Sequence, residues 1–153
     1  MLSLLRVILG ALFVGHGTQK LYGWFGGHGP EATGQFFESL GLRPGRRNAI
    51  ASGAAEAGGG AILATGVANP LATAAISGTM FTAIRHVHLS KGVWVSDGGF
   101  EYNLVILAAL AAITAEEDGP GWALAALAAG AAGSVLVSEL GRRESDGQPA
   151  TGS

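Results

Sequence analysis

The chain has 153 residues, of which 48% are hydrophobic and only 13% are charged. Soluble domains carry about 25% charged residues, so this chain has too few polar side chains to cover a water-facing surface. The formal net charge of -2 gives no reason to expect nucleic acid as a partner. Because there is no cysteine, the chain itself can form no disulfide, thiolate metal site or dithiol redox pair.

Apolar runs long enough to cross a bilayer recur along the chain. A hydrocarbon core about 30 Å thick needs roughly 20 apolar residues in a helix. We therefore predict an all-α fold, a polytopic transmembrane bundle of four core helices plus a fifth, in a single domain over residues 1–140. The predicted spans cover residues 4–24, 49–68, 71–88, 100–115 and 120–138, with a short interfacial helix at 35–40. Residues 141–153 are poor in apolar side chains and are predicted to be a disordered tail.

Basic residues predict how the bundle is oriented. If five spans begin with an outside N-terminus, Arg6 is outside, and the other eight of the nine Lys and Arg residues lie on or near the cytoplasmic side. This bias fits the positive-inside rule. Four spans would place Arg142 and Arg143 outside, so the bias favours the fifth helix. We predict a multi-pass protein of the bacterial plasma membrane, with its C-terminus in the cytoplasm.

Small residues predict close helix packing. Helices in lipid associate through small side chains that allow their backbones to approach, and much of the glycine lies inside the predicted spans. Spacings of four residues occur between Ala54 and Gly58 and between Gly130 and Ser134. The predicted packing positions are Gly53, Gly58, Gly59, Gly60, Gly130 and Ser134.

Glu56 lies near the middle of an otherwise apolar span. An ionised carboxylate there costs about 2.5 to 3.5 kcal/mol, so it must be protonated, paired or solvated by a cavity. In the predicted orientation, Glu56 lies about 10 Å deep, and His16 and Lys20 lie about 12 and 6 Å deep from the same side. His16 and Lys20 are four residues apart and share one helix face. We therefore predict that both point at Glu56.

Other polar residues approach the same level from the third and fourth spans. The predicted intramembrane cluster consists of His16, Lys20, Glu56, Arg85, His86, Glu101 and Asn103. Lys20 and Arg85 could instead extend to the lipid headgroups. No metal site is predicted, because His86 and His88 are two residues apart and point in different directions on a helix. No nucleophile, phosphate-loop or zinc-protease motif is present, so no catalytic residue is predicted.

Four stretches together resemble the DoxX family of small bacterial membrane proteins: GHGTQKLYGWFGG, EAGGGAILATGVANPLAT, AIRHVHLSKGVW and GGFEYNLVILAALAAITAEEDGPG. The resemblance extends to about Gly121 and implies a four-helix membrane core linked to quinone- or thiol-dependent redox systems. The positions similar to the family pattern are His16, Gly17, Lys20, Glu56, Gly59, His86, Glu101 and Asn103. After Gly121 the chain departs from that pattern with WALAALAAGAAG, the start of the predicted fifth helix.

Three functions remain open at this stage. The first is a non-catalytic subunit or anchor that contacts the lipid bilayer and redox partner subunits and offers a quinone-sized pocket near Glu56. The second is a small proton, ion or solute transporter in which Glu56 and His16 form a relay, since histidine titrates near neutrality. The third is an enzyme, which would need a bound cofactor because the chain supplies none. The sequence does not define the oligomeric state.

Overall fold

The computed structural model describes residues 2–146, with side chains to residue 144. Within that range, the regular structure is helical, which confirms the all-α class. The α-helices are α1 (Leu2–Tyr22), α2 (Gly29–Ser39), α3 (Gly45–Thr65), α4 (Asn69–Ala83), α5 (Glu101–Glu117) and α6 (Pro120–Asp146). A π-helical turn, Ile84–His88, continues α4. By length and composition, α1 and α6 are apolar enough to cross a membrane.

The helices begin and end close to the predicted span boundaries. α3 begins four residues before the predicted start at 49, because Glu38 Oε1 accepts a hydrogen bond of 3.0 Å from the backbone N–H of Gly45. The Glu38 carboxylate caps the N-terminus of α3, because the N-cap residue, Pro44, has no side chain that can do so. The helix ends where Gly66 adopts the left-handed conformation with φ 74°. The predicted interfacial helix at 35–40 is the longer α2, which begins at Gly29.

The predicted start of the disordered tail is wrong for residues 141–146. α6 continues to Asp146, while residues 147–153 lie outside the described residues. The last turns of the helix are held by tertiary contacts that local composition does not reveal. Gly141 is buried against Gly41 and Leu42. Glu144 Oε1 forms an ion pair with Arg47 Nη2 at 3.2 Å.

Glycines bring α1 and α3 into backbone contact at two levels. A Cβ on Gly10 would lie 2.5 Å from Gly60 O, and a Cβ on Gly17 would lie 2.5 Å from Gly53 O. Real side chains do not approach so closely, so only glycine fits at these crossings. The packing predicted at Gly53 and Gly60 is confirmed, and α1 and α3 share the most extensive contact of any helix pair described.

The second most extensive helix contact is between α4 and α6. A Cβ on Gly130 would lie 2.8 Å from Gly78 N, and Thr82 Oγ1 donates to Ser134 Oγ at 2.9 Å. These contacts confirm the packing predicted at Gly130 and Ser134. Gly59 packs against the side chain of Ile76 on α4, since a Cβ built on Gly59 would lie 3.0 Å from Ile76 Cγ1. This contact also agrees with the prediction.

The predicted packing at Gly58 is wrong. Nothing lies within 4 Å of a Cβ built on this residue, and Ala54, one turn earlier, is exposed as well. The small residues of α3 occupy more than one face of the helix, and only the face containing Gly53 and Gly60 contacts α1. Spacing alone cannot distinguish that face from the one that points outward.

A buried apolar core fills one end of the bundle. Its side chains come from four helices, α1, α3, α4 and α5, and four of its leucines and isoleucines have no measurable exposure. The members are Leu9, Phe13, Leu63, Ala72, Ile76, Met80, Leu107, Leu110 and Ile113. The other end of the bundle contains the candidate site.

Candidate functional site

All six helices line one cavity of about 910 Å³ at the end of the bundle opposite the tightest apolar core. Its walls come from the cavity-side halves of α1, α3 and α5 and from the middle of α6. α1 contributes residues 13–20, α3 contributes 48–56, α5 contributes 102–106 and α6 contributes 129–137. Because α1 and α3 run in opposite directions, the last turns of one and the first turns of the other meet at the same level. The cavity therefore lies towards a single end of the bundle.

An ion pair between α1 and α3 forms part of the cavity wall. Lys20 Nζ contacts Glu56 Oε1 and also donates to Ser52 Oγ at 3.1 Å. The Glu56 side chain is only 3% exposed, and Lys20 is 26% exposed. The backbone contact between Gly17 and Gly53 sets this geometry, since it brings the two helices together one turn away. The predicted contact between Lys20 and Glu56 is confirmed.

One oxygen of Glu56 is left without a partner. Oε2 is buried and accepts no hydrogen bond from the described residues. Lys20 Nζ carries three N–H donors, and Glu56 and Ser52 account for two of them. A partly exposed lysine with one remaining donor thus lies beside a deeply buried carboxylate.

His16 is not bonded to Glu56, so this part of the prediction is wrong. The imidazole is exposed at the cavity rim, where Nδ1 lies 3.2 Å from Gln19 Oε1. Gln19 Nε2 in turn donates to Phe25 O at 3.3 Å. Residues four apart on a helix share a face only approximately. The His16 side chain bonds to Gln19, which bonds to the turn after α1, and not to a residue of α3.

His86 and Asn103 also line the cavity, as predicted for cluster members. His86 Nε2 lies 2.8 Å from Ser138 Oγ, and Nδ1 lies 3.2 Å from Leu40 O. Asn103 is buried and its Nδ2 lies 3.5 Å from Met80 Sδ. Neither residue bonds to the ion pair, so they share its cavity but not its hydrogen bonds.

Arg85 and Glu101 are wrongly predicted as cluster members. Arg85 is exposed, Glu101 is half-buried, and neither lines the cavity. Arg85 lies on the π-helical turn after α4 and is exposed, whereas the next residue, His86, lines the cavity. Similar depth along a helix therefore did not imply the same direction.

Sequence reasoning missed several polar residues of the cavity. Ser52 is the most informative, since it lies one turn before Glu56 on the same face of α3 and bonds to Lys20. That spacing of four residues was a usable signal. Gln19, Asn48 and Thr79 also line the cavity, and nothing local to them distinguished them from other polar residues near helix ends.

Across residues 2–144, no three His, Asp or Glu side chains come together as candidate metal ligands. His86 and His88 diverge: His88 Nδ1 lies 2.6 Å from Gly98 O, on the loop before α5, whereas His86 contacts α6.

The described residues form a helical bundle with two long apolar helices, an apolar surface and a cavity containing a buried ion pair, features typical of small helical membrane proteins. The DoxX family model matches residues 1–89, which is more than half of the chain. The protein belongs to the DoxX family. No curated protein and no solved structure matches the sequence.

Proposed function

We propose that the protein spans the plasma membrane several times, with the cavity opening at the cytoplasmic end. α3, with 21 residues, is about 30 Å long, and α4 with its π-helical turn covers a similar length. α5 has 17 residues and is the shortest of the five spans when the π-helical turn is counted with α4. Exposed apolar side chains such as Leu12, Val105 and Leu136 lie on the outer faces of these helices and suit contact with lipid. The basic residues at the cavity end support the predicted orientation, with the N-terminus outside.

The function that the site supports best is a non-catalytic membrane subunit that binds a quinone for an associated oxidoreductase. The observation that carries this proposal is the cavity of about 910 Å³ with the Lys20–Glu56 pair in its wall. Ligand pockets typically enclose about 300 to 1,000 Å³ and are mostly apolar, with a few polar groups that orient the ligand. The size and the lining of this cavity agree with that description.

The chemistry of the wall suits a ring that carries carbonyl oxygens. The remaining N–H donor of Lys20 can bond to a carbonyl, while apolar residues such as Phe13, Phe37 and Ile106 surround a ring and its tail. The chain has no cysteine, so the dithiol chemistry of a thiol-linked system would come from a partner subunit. The protein then contributes the membrane site, and its partner contributes the redox centre.

Binding of a short-chain benzoquinone analogue to the purified protein in lipid nanodiscs tests this proposal. We expect saturable binding by titration calorimetry, and we expect Ala55→Phe to weaken it at least tenfold. Ala55 lines the cavity beside Glu56, so a phenyl ring there occupies the space without altering the ion pair.

Ala54→Phe is the matched control, because Ala54 is the preceding residue on α3, is exposed and does not line the cavity. We expect it to bind the analogue as the unchanged protein does. Equal binding by both phenylalanine variants, or no saturable binding by the parent, would contradict a quinone site in this cavity.

A second candidate, a proton or small-solute transporter, is favoured by the unpartnered Oε2 of Glu56. A buried carboxylate beside a cavity can bind and release a proton as its surroundings change. Proteoliposomes of the pure protein with an internal pH dye measure this activity. The transporter predicts proton flux that disappears in Glu56→Ala, and absence of flux in the parent protein counts against it.

A further inference from the structure

The end of the bundle opposite the cavity is closed by two layers. The inner layer is apolar and includes Leu9, Leu63, Ile76 and Leu110, all of them buried. The outer layer is polar and lies at the turns between helices, where Arg6, Asn69 and Glu117 meet. A ligand in the cavity therefore has no open route to that end.

The outer layer connects three parts of the chain through one carboxylate. Glu117 Oε2 accepts from Arg6 Nη1 at 2.9 Å and from Asn69 Nδ2 at 2.8 Å, and Asn69 Nδ2 also lies 3.0 Å from Asp118 Oδ2. The Arg6 guanidinium packs against Gly66 in the turn between α3 and α4. Arg6 belongs to the α1–α3 pair, whereas Glu117 ends α5 beside the α4–α6 pair.

The packing within each helix pair differs from the packing between the two pairs. Within each pair, glycines bring backbones into contact, at Gly10 and Gly60 in one and at Gly78 and Gly130 in the other. Between the pairs, the contacts at this end are mainly apolar side chains of the shared core, such as Leu63 and Ile76, together with the Arg6–Glu117 ion pair. Backbone contacts make each pair a rigid unit, and side-chain contacts can slide or separate.

The polar layer is also incompletely satisfied. Arg6 Nε and Asn69 Oδ1 are buried, and neither has a hydrogen-bond partner among the described residues. Asn69 is 1% exposed. A buried polar group without a partner destabilises the closed arrangement, and hydrogen bonds to water would stabilise that group if this end of the bundle opened. The closed arrangement therefore holds two groups that hydration would stabilise.

We propose that Arg6, Asn69 and Glu117 form a latch that holds the two helix pairs together, and that releasing it opens the cavity towards the second side of the membrane. This inference rests on the transmembrane arrangement proposed above, concerns the closed end, and holds whichever ligand the cavity binds. It makes the protein a one-sided vestibule while the latch is closed and a two-sided passage when it is open.

Because the chain has no cysteine, a single engineered thiol can report access to the cavity. Ala55→Cys places it in the cavity wall, and a small charged methanethiosulfonate that cannot cross lipid is applied to either face of proteoliposomes. Two exposed positions identify the faces: Ser90→Cys, in the turn after the cavity-lining His88, and Val67→Cys, in the turn at the latch end.

With the latch intact, we expect Cys at position 55 to be labelled only from the face that labels position 90. Adding Glu117→Ala should raise its labelling rate from the other face at least tenfold. The charge exchange Arg6→Glu with Glu117→Arg should return the rate towards that of the parent, since the ion pair can form again.

Arg46→Gln is the matched control, because it removes an exposed ion pair of 2.8 Å with Glu31 away from the latch, and no change is expected. Arg6→Lys is the milder variant and decides the matter if Glu117→Ala does not fold; it should give a smaller rise in the same direction. The latch is refuted if labelling from the position-67 face is the same with and without these substitutions, or if the parent is labelled equally from both faces.

Discussion

Lys20→Met is expected to lower the free energy of unfolding by about 3 kcal/mol, at the lower end of the 3 to 5 kcal/mol measured when one partner of a buried ion pair is removed. The substitution leaves the Glu56 carboxylate almost fully buried without its counter-charge. The estimate is at the lower end because Lys20 itself is 26% exposed and water partly screens the pair.

The double variant Lys20→Met with Glu56→Met distinguishes two effects: loss of the ion pair, and burial of the Glu56 carboxylate without a positive partner. We expect it to be more stable than Lys20→Met alone, because methionine leaves no buried charge to compensate. Unfolding in mixed micelles with increasing dodecyl sulfate, followed by circular dichroism, measures all three proteins.

Lys91→Met is the control, since Lys91 is an exposed lysine outside the cavity lining, and its replacement should change stability by less than about 0.5 kcal/mol. If Lys20→Met were as stable as Lys91→Met, Glu56 would not depend on Lys20, and the ion pair would have no energetic role.

Gly17→Ala is expected to destabilise the protein by about 3 kcal/mol, at the upper end of what overpacking costs. The added methyl group would lie 2.5 Å from Gly53 O, a backbone atom that cannot move without separating α1 from α3. Because Lys20 follows one turn later on α1, the separation should also weaken its contact with Glu56. The same substitution is therefore expected to lower the affinity of the quinone analogue in the titration described above.

Gly58→Ala and Gly15→Ala are the matched controls for this effect. Both glycines lie within helices and have nothing within 4 Å of an added Cβ. Alanine is a better helix former than glycine by roughly 0.5 to 1 kcal/mol, so we expect both variants to be slightly more stable than the parent. The same unfolding titration measures them. If Gly17→Ala matched these controls, the proposed backbone contact between α1 and α3 would not exist.

Glu56 and Lys20 show how far the sequence alone could define the site. A carboxylate in an apolar helix needs a partner, and the rise of a helix gave the depth of both residues, so their pairing could be predicted. The same reasoning was wrong for His16, which lines the cavity but bonds to Gln19, and for Arg85, which is exposed outside the cavity. Direction depends on how each helix is rotated in the bundle, and depth contains no information about that rotation.

The sequence by itself determined the helical class, the approximate ends of the helices and the need to neutralise Glu56. These follow from local properties: apolar length, glycine and proline at helix ends, and the cost of charge in an apolar setting. Only the tertiary structure decided that Gly53 rather than Gly58 contacts α1, that the cavity lies towards one end of the bundle, and that Arg6 meets Glu117 across 111 positions of chain. Those facts depend on helix rotation and on contacts between distant segments, which no local pattern of residues encodes.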